Sequence, residues 1–513
     1  MRPGHMPFLL LLCLMAVCMV PSWPTPRFGM GTVGSLLFTV MAVGSLLLAA
    51  GIITQSTLRR LQREPEYRDD VAHRYSAART YHFFATIGVY LGCLFLFGWG
   101  NTVMAEARVT INGIRGLMPA GELLILAPFL VAYIGSWLFF YDADYEFYRI
   151  VVGDERAGRF WSRLGFVVFL ARQQLILLFV PLVLMMIQQG IIRFYPEILR
   201  ASWLPIASLL VLPTFLIFFP PLLPRLLGLK PLPAGPTRER LEAHAKRLGF
   251  GYRQIYLWNT RGVMANAMVV GIARWLRYVV FTDRLLDELT PDEVDAVFGH
   301  EVGHAHHGHI IYYAVFILLS YTLIGAAFQL LGQADETYLE GFGSLVMVLP
   351  IIIMGAYMFI VFGFISRRCE RQADVFGCRA GSCNDPHCMG HEWTTVLSER
   401  GRGLCRTGIE HFVNALRRVD AINGLTKPQP LWRGATVSGK VHWIFRLITG
   451  WLHTWLHSSI EKRVRFLEQV AISPSIEQRF QKRIYVIKWA LALSLLAALA
   501  GLGAWQGLGV LGF

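Results

Sequence analysis

The sequence predicts a mainly α-helical, polytopic membrane protein, in which a transmembrane helix bundle or barrel carries a cytoplasmic α+β domain with a small β-hairpin or sheet. Three observations lead to this fold class. The 513 residues are 54% hydrophobic with a mean hydropathy of +0.46, which is too apolar for a soluble protein. Long apolar stretches recur along the chain. The segments between them alternate between Arg-rich and Arg-poor.

We predict nine membrane spans, because a helix needs about 20 mostly apolar residues to cross a bilayer. They lie at approximately 7–21, 30–53, 82–104, 121–141, 165–188, 203–224, 309–331, 342–365 and 485–506. The first is short and follows Arg2, so a cleaved signal peptide is an alternative. No good small-residue cleavage site follows it, which favours a retained span.

The charge of the connecting segments predicts the orientation of the chain. Six arginines lie in 54–81 and four in 142–164, whereas 332–341 has no Lys or Arg. Because cytoplasmic segments carry the excess of Lys and Arg, these segments alternate across the nine spans without conflict. The N-terminus and the basic segments 225–308 and 366–484 are then cytoplasmic.

This topology also accounts for the net charge of +14, since basic cytoplasmic segments face anionic lipid headgroups. The sequence contains no nucleic-acid-binding motif, so we expect the lipid bilayer as a partner and no nucleic acid. The bias of Arg over Lys favours a bacterial inner membrane.

The spans and the basic segments predict five regions. They are N-terminal membrane helices (1–224, about six spans), a first catalytic part (225–308), a membrane helix pair (309–365), a second catalytic part (366–484) and a C-terminal membrane helix (485–513). The helix pair returns the chain to one face of the membrane, so the two cytoplasmic parts can meet.

The first cytoplasmic part contains the pattern His-Glu-x-x-His at His300, Glu301 and His304. Thr290, as N-cap and start of a capping box, and Gly308, as a stop, predict that the pattern lies in one helix. Two histidines four apart on a helix can bind one Zn²⁺, and the adjacent carboxylate can accept a proton from a metal-bound water. The alternative is a pair of surface histidines in a His-rich stretch.

A third ligand is expected at Glu370 or Asp374, which lie four apart just after an apolar span. One carboxylate could bind the metal while the other forms a hydrogen bond with a ligand histidine without touching the metal itself. Carboxylates at this spacing otherwise mark a solvated helix face.

These pieces resemble the integral-membrane zinc metallopeptidases that include the CaaX prenyl endopeptidases and the HtpX-type heat-shock proteases. The matching segments, in order, are 232–249, 266–271, 278–286, 300–309, 366–374 and 457–464. Together they are far more specific than any one of them, and they cover roughly half of the chain.

The resemblance implies a role for each matching residue. His300, His304 and Glu370 would bind one catalytic Zn²⁺, with Glu301 as the general base and later the proton donor. Asp374 and Arg463 would support the site, His457 would stabilise the oxyanion, and Asn266 and Ala267 would lie on an edge strand that pairs with extended substrate. Ser458 stands where the family usually has Pro, so His457 could instead be an ordinary residue of a Trp- and His-rich stretch.

The expected function is therefore a membrane-embedded zinc endopeptidase, which cleaves membrane-associated or unfolded polypeptides through a metal-activated water with Glu301 as base. One alternative is a CaaX-type processing protease for lipidated proteins. Another is a non-enzymatic transporter or scaffold with a structural zinc site.

Two further groups of residues leave alternatives open. A second, structural metal site or ordinary reduced thiols would both suit the cysteine cluster, which consists of Cys378, Cys383, Cys388 and Cys405. The polar residues inside predicted spans either line an aqueous chamber or pack against neighbouring helices; they are Glu122, Arg172, Gln173 and Gln174.

Overall fold

The computed structural model describes residues 28–153, 158–199, 204–332, 355–382, 404–423 and 458–510, together with 13–14, 16–17, 20 and 353. The chain divides into two compact units, one within Met1–Ile206 and one within Ala207–Leu425 and Thr436–Phe513. The described residues are mainly α-helical, as predicted, with two small sheets.

The first unit consists of long helices and one hairpin. Its elements are α1 (Thr32–Arg63), α2 (Arg68–Phe95), α3 (Trp99–Glu106), β1 (Arg108–Ile111), β2 (Ile114–Leu117), α4 (Glu122–Val152), α5 (Arg163–Phe194) and α6 (Pro196–Leu199). Strands β1 and β2 pair antiparallel. A helix of mostly apolar residues, α7 (Leu204–Phe218), follows and crosses the boundary between the units.

Among the described residues, three helices are long and apolar enough to cross a membrane: Thr32–Arg63, Glu122–Val152 and Ser475–Gly501. A bent pair, Pro65–Phe95 with Trp99–Glu106, makes a fourth if it counts as one span. Several predicted spans lie wholly or partly outside the described residues, so their total of nine stays a prediction.

Two polar residues of the predicted spans pair with neighbouring helices of the first unit. Glu122 at the start of α4 forms an ion pair with Arg193 of α5 at 2.8 Å, and both side chains are largely buried. The Tyr133 hydroxyl donates a hydrogen bond to the buried Gln174. A buried charge needs such a partner, so these contacts favour helix packing over chamber lining for Glu122 and Gln174.

The second unit combines a mixed sheet with helices. Its elements are α8 (Leu223–Leu227), β3 (Lys230–Pro231), α9 (Pro236–Arg247), β4 (Gln254–Trp258), β5 (Ala267–Val270), β6 (Tyr278–Thr282), α10 (Asp283–Glu288), α11 (Pro291–His306), α12 (His309–Gly332), α13 (Gly363–Gly381), α14 (Arg406–Ile422), α15 (Ile460–Ile472) and α16 (Pro474–Val510).

The four-stranded sheet has the order β3-β4-β6-β5, with β4 parallel to β6 and the other pairs antiparallel. The apolar runs 266–271 and 277–282 predict a hairpin, which is confirmed as β5 and β6, and β5 is an edge strand. All five residues of β6 are buried. Val279 and Phe281 pack there against Phe298 of α11, so the sheet core fixes one side of the helix that carries the histidines.

Candidate metal centre

The helix α11 begins where the sequence predicts. The Thr290 side chain accepts a hydrogen bond from the Glu293 N–H while the Glu293 carboxylate accepts one from the Thr290 N–H, so the capping box is confirmed. At the other end, Gly308 has a φ of +64°, a left-handed conformation that glycine adopts without steric cost. The stop allows α12 to begin at His309.

Small residues bring α11 and α13 into close contact. A Cβ atom added at Gly299 would lie 2.3 Å from the Ala380 Cβ, and one at Gly303 would lie 3.1 Å from the Ala373 Cα. Real side chains do not approach this closely, so only glycine fits at Gly299 without a shift of the neighbouring helix. The crossing brings a carboxylate on α13 to the histidines of α11.

The three predicted metal ligands meet at this crossing. His300, His304 and Glu370 offer nitrogen and oxygen atoms that all lie within 4.8 Å of one another. The two Nε2 atoms are 3.2 Å apart, and the Glu370 carboxylate lies 3.8 Å from His300 Nε2 and 3.5 Å from His304 Nε2. Two imidazoles and one carboxylate are a donor set that zinc accepts. The residues therefore fit a divalent metal.

Asp374 and Arg463 lie behind His300. The Asp374 Oδ1 is 3.0 Å from His300 Nδ1, and Arg463 of α15 donates to both Asp374 oxygens, with Nε at 2.8 Å from Oδ2. Burial acts to raise the pKa of the Asp374 carboxyl, but Arg463 and His300 hold it below its usual range. Arg463 also approaches Glu370 at 3.5 Å, so one guanidinium links both carboxylates.

Glu301, one residue after the first histidine, faces the edge strand. Its Oε2 accepts a hydrogen bond from the Val269 N–H of β5 at 3.2 Å. The carboxylate is thus placed between the ligand cluster on its own helix and the edge strand of the sheet. A general base needs such a position, within reach of both the metal side and a bound polypeptide.

The backbone N–H and C=O groups of successive residues along the edge strand β5 point alternately toward β6 and away from it. The Asn266 N–H and C=O turn inward to Thr282 of β6, at 2.8 and 3.0 Å. Ala265, Ala267 and Val269 therefore direct their backbone groups away from β6, toward the unpaired side of the edge strand. Sequence reasoning named Asn266 and Ala267 together, whereas the structure separates the roles of their backbones.

Asn423, at the end of α14, is a residue that sequence reasoning missed. Its Nδ2 donates to the Ala265 C=O at 2.8 Å, and its Oδ1 accepts from the Ala265 N–H at 3.0 Å. The side chain thereby imitates the pairing of a neighbouring strand and closes the edge at Ala265. No local pattern marks it, because the two residues are far apart in sequence.

His309 and Gln372 were also missed as parts of the centre. His309 Nδ1 lies 2.9 Å from His304 Nδ1, and His309 Nε2 lies 3.0 Å from Gln372 Oε1. For His309 the sequence did hold a signal, because the Gly308-His309 pair lies in the segment 300–309 that matches the family.

Several predicted residues lie outside the part of the chain that the structure describes, namely His457, Cys383 and Cys388. The other two members of the cysteine cluster are described and buried. Cys405 Sγ accepts a hydrogen bond from the Gly408 N–H and caps α14, and burial raises the pKa of the Cys378 thiol well above its usual value. The second metal site stays a prediction.

Comparisons with known proteins cover the same segment. Residues 231–471 match the model of peptidase family M48. The CAAX prenyl protease 1 homolog of Arabidopsis thaliana is 25% identical over 290 residues, which cover 53% of this chain and 66% of that protein. CAAX prenyl protease 1 of Saccharomyces cerevisiae is 26% identical over 202 residues, covering 34% and 43%.

A bacterial relative is similar over a shorter stretch. Protease HtpX of Xanthomonas euvesicatoria pv. vesicatoria is 24% identical over 159 residues, covering 29% of this chain and 54% of that protein. The chain thus spans between 43% and 66% of the length of these three relatives.

Among solved structures, S. mikatae Ste24p aligns with a TM-score of 0.48 and 16% identity, covering 84% of this chain and 98% of that chain. The family match and the relatives confirm the resemblance that the motifs indicate: residues 231–471 of this chain are similar to peptidase family M48, and the relatives with which it aligns include CAAX prenyl proteases and an HtpX protease.

Proposed function

We propose that this protein is a membrane-embedded zinc endopeptidase that cleaves membrane-associated or unfolded polypeptides. One observation carries the proposal: His300, His304 and Glu370 converge from two helices while Glu301 faces the edge strand β5. A structural zinc site needs neither an adjacent carboxylate nor an edge for polypeptide. This arrangement favours an enzyme over a transporter or scaffold.

His300, His304 and Glu370 would hold the zinc ion. Three protein ligands are typical of catalytic zinc, whereas structural zinc usually has four. When bound, zinc supplies Lewis acidity that polarises a peptide carbonyl and acidifies water. Asp374 and Arg463 keep the His300 ring and the Glu370 carboxylate in place, since each contacts one of these ligands.

Glu301 would act as the general base. Its carboxylate accepts the proton of the attacking water and delivers it to the amine that leaves. The hydrogen bond from the Val269 N–H holds Oε2 at the strand edge, where the scissile bond would lie. His457 would donate a hydrogen bond to the oxyanion, a role that rests on the resemblance alone.

The edge of β5 that faces away from β6 would bind the substrate as an added strand. The outward N–H and C=O of Ala267 pair with the polypeptide backbone, and Val269 lies next along the edge beside Glu301. Asn423 closes the edge at Ala265. An extended polypeptide can therefore pair with β5 as far as Ala267 but not at Ala265, whose backbone groups are already bonded to Asn423.

We also propose that the active site faces the cytoplasm at a bacterial inner membrane, on the basis of the charge alternation in the sequence. The names of the relatives favour a second candidate, a CAAX-type processing protease for lipidated proteins. Cleavage of matched peptides with and without a prenyl group distinguishes the two candidates, because only the second predicts a preference for the prenylated peptide.

The experiment that tests the enzyme is Glu301→Gln in the full chain, purified in detergent. Glutamine keeps the acceptor for the Val269 N–H but cannot take a proton, so we expect stoichiometric zinc to remain and peptide cleavage to fall about a hundredfold or more. The matched control is Glu288→Gln on an exposed position of α10, which should cleave like the wild type. Full activity of the Glu301 variant would refute the general-base role.

A further inference from the structure

His309 is buried between one ligand histidine and the C-terminal apolar helix. It is the first residue of α12, and its side chain has no solvent exposure. One ring nitrogen lies 2.9 Å from His304 Nδ1 and the other lies 3.0 Å from Gln372 Oε1. A buried imidazole with two partners has a fixed tautomer, which the partners decide.

The contacts define the proton positions. His304 Nε2 faces His300 Nε2 and the Glu370 carboxylate, so a neutral His304 that offers this nitrogen to a metal carries its proton on Nδ1. That N–H donates to His309 Nδ1. The proton of His309 is then on Nε2, where it donates to the Gln372 carbonyl oxygen.

Gln372 extends the chain of hydrogen bonds to α16. Its Nε2 donates to Gln481 Oε1 at 2.5 Å, which fixes the amide with its oxygen toward His309. Lys488 Nζ, also on α16, donates to the same Gln372 oxygen at 3.3 Å and to the His307 C=O at 2.8 Å. Each N–H in this series donates to an acceptor, so one consistent set of hydrogen-bond directions connects the ligand His304 to α16.

We propose that His309 is a positioning residue for His304, and that Gln372 and Lys488 connect this support to α16, the C-terminal helix that is apolar enough to cross a membrane. The inference rests on the proposed zinc site. Its consequence is that a side chain in the C-terminal helix affects metal affinity without touching the metal ligands. Partners of this kind typically change metal affinity by about tenfold to a hundredfold when they are removed.

The test measures the zinc dissociation constant of the full chain in detergent by competition with a chelator. We expect His309→Phe to weaken zinc binding about tenfold or more. His309→Asn keeps a group that accepts from the His304 N–H, and it should recover part of this loss. Lys488→Met should weaken zinc binding by a smaller factor, about twofold to fivefold, because the lysine reaches His304 only through Gln372 and His309.

The matched control is His306→Phe, since His306 lies in the same His-rich stretch but is exposed. It should bind zinc like the wild type. If His309→Phe unfolds the protein, the Asn and Lys488→Met variants still decide the question, because wild-type affinity in both contradicts the proposal. Wild-type protein that binds no zinc overturns the proposed function, whereas wild-type binding with an unchanged His309→Phe constant overturns only the role of His309.

Discussion

The two histidines of the candidate metal centre are supported in different ways. Behind His300 lies a buried ion pair, Asp374 with Arg463, contributed by α13 and α15. Behind His304 lies a series of neutral groups, His309 and then Gln372, which ends at a lysine of α16. The first support is short and charged. The second is longer and connects the ligand to an apolar helix.

This difference predicts what is lost when the support of His300 or the support of His304 is removed. Removing one partner of a buried ion pair leaves the other charge without compensation, which costs about 3–5 kcal/mol. Removing a neutral hydrogen-bond partner costs less, about 1–3 kcal/mol for a buried group. The charged side should therefore determine whether the centre folds, and the neutral side should tune how tightly it binds metal.

The largest effect is expected from Asp374→Asn. Asparagine removes the carboxylate that forms two hydrogen bonds with the buried Arg463 and leaves only the more distant Glu370 as its counter-charge, so we expect the free energy of unfolding to fall by about 3–5 kcal/mol and zinc binding to be lost or severely weakened. Chemical denaturation in detergent and metal analysis measure the two effects. The control is Asp70→Asn, whose partner Arg74 is half exposed, and which should change stability by less than about 1 kcal/mol. A loss no larger than that of His309→Phe would contradict the contrast between the two sides.

An intermediate effect is expected from Gly299→Ala at the crossing that serves both sides. The added methyl group would lie 2.3 Å from the Ala380 Cβ, so α11 and α13 must move apart. We expect a loss of about 1–3 kcal/mol in stability, together with weaker zinc binding because Glu370 moves with α13.

Gly44→Ala in α1 is the control for that substitution, since a Cβ at Gly44 would meet nothing within 4 Å. It removes the same glycine flexibility from a helix interior and should be neutral or stabilising by up to about 1 kcal/mol. Equal destabilisation by the two variants would show that the close crossing is not what Gly299 provides.

The smallest effect is expected from Asn423→Ala, which lies outside both supports. The variant frees the Ala265 N–H and C=O, so peptides extended toward one end should gain up to about two hydrogen bonds and show a KM lower by about twofold to tenfold. Peptides lengthened one residue at a time on each side of the cleaved bond reveal the effect. Asn259→Ala serves as the control, and an identical length dependence in wild type and variant argues against a closed groove.

Much of the centre could be predicted from local sequence. The capping box at Thr290 and the i, i+4 spacing of His300 and His304 are properties of a single helix, so they required no knowledge of the fold. The β5–β6 hairpin followed from two short apolar runs with a turn between them. Glu370 was placed by its position after an apolar span and by the resemblance, and the structure brings it to the histidines.

The missed residues share one property: their partners are distant in sequence. Asn423 contacts Ala265, and Lys488 contacts Gln372, across more than a hundred residues. An asparagine at a helix end or a lysine in an apolar helix has an ordinary local explanation, as a cap or an interfacial residue. Only the folded chain shows that these side chains complete a strand edge and a ligand support.

The sequence by itself determined the helical character, the apolar segments and the identity of the histidine motif, because periodicity, composition and spacing act over a few turns of chain. Tertiary structure decided which faces meet. The glycines of α11 permit a close approach of α13 that no local sequence pattern predicts. That approach determines which polar side chains lie next to His300 and His304. Contact between distant segments depends on shape and burial, which no local pattern encodes.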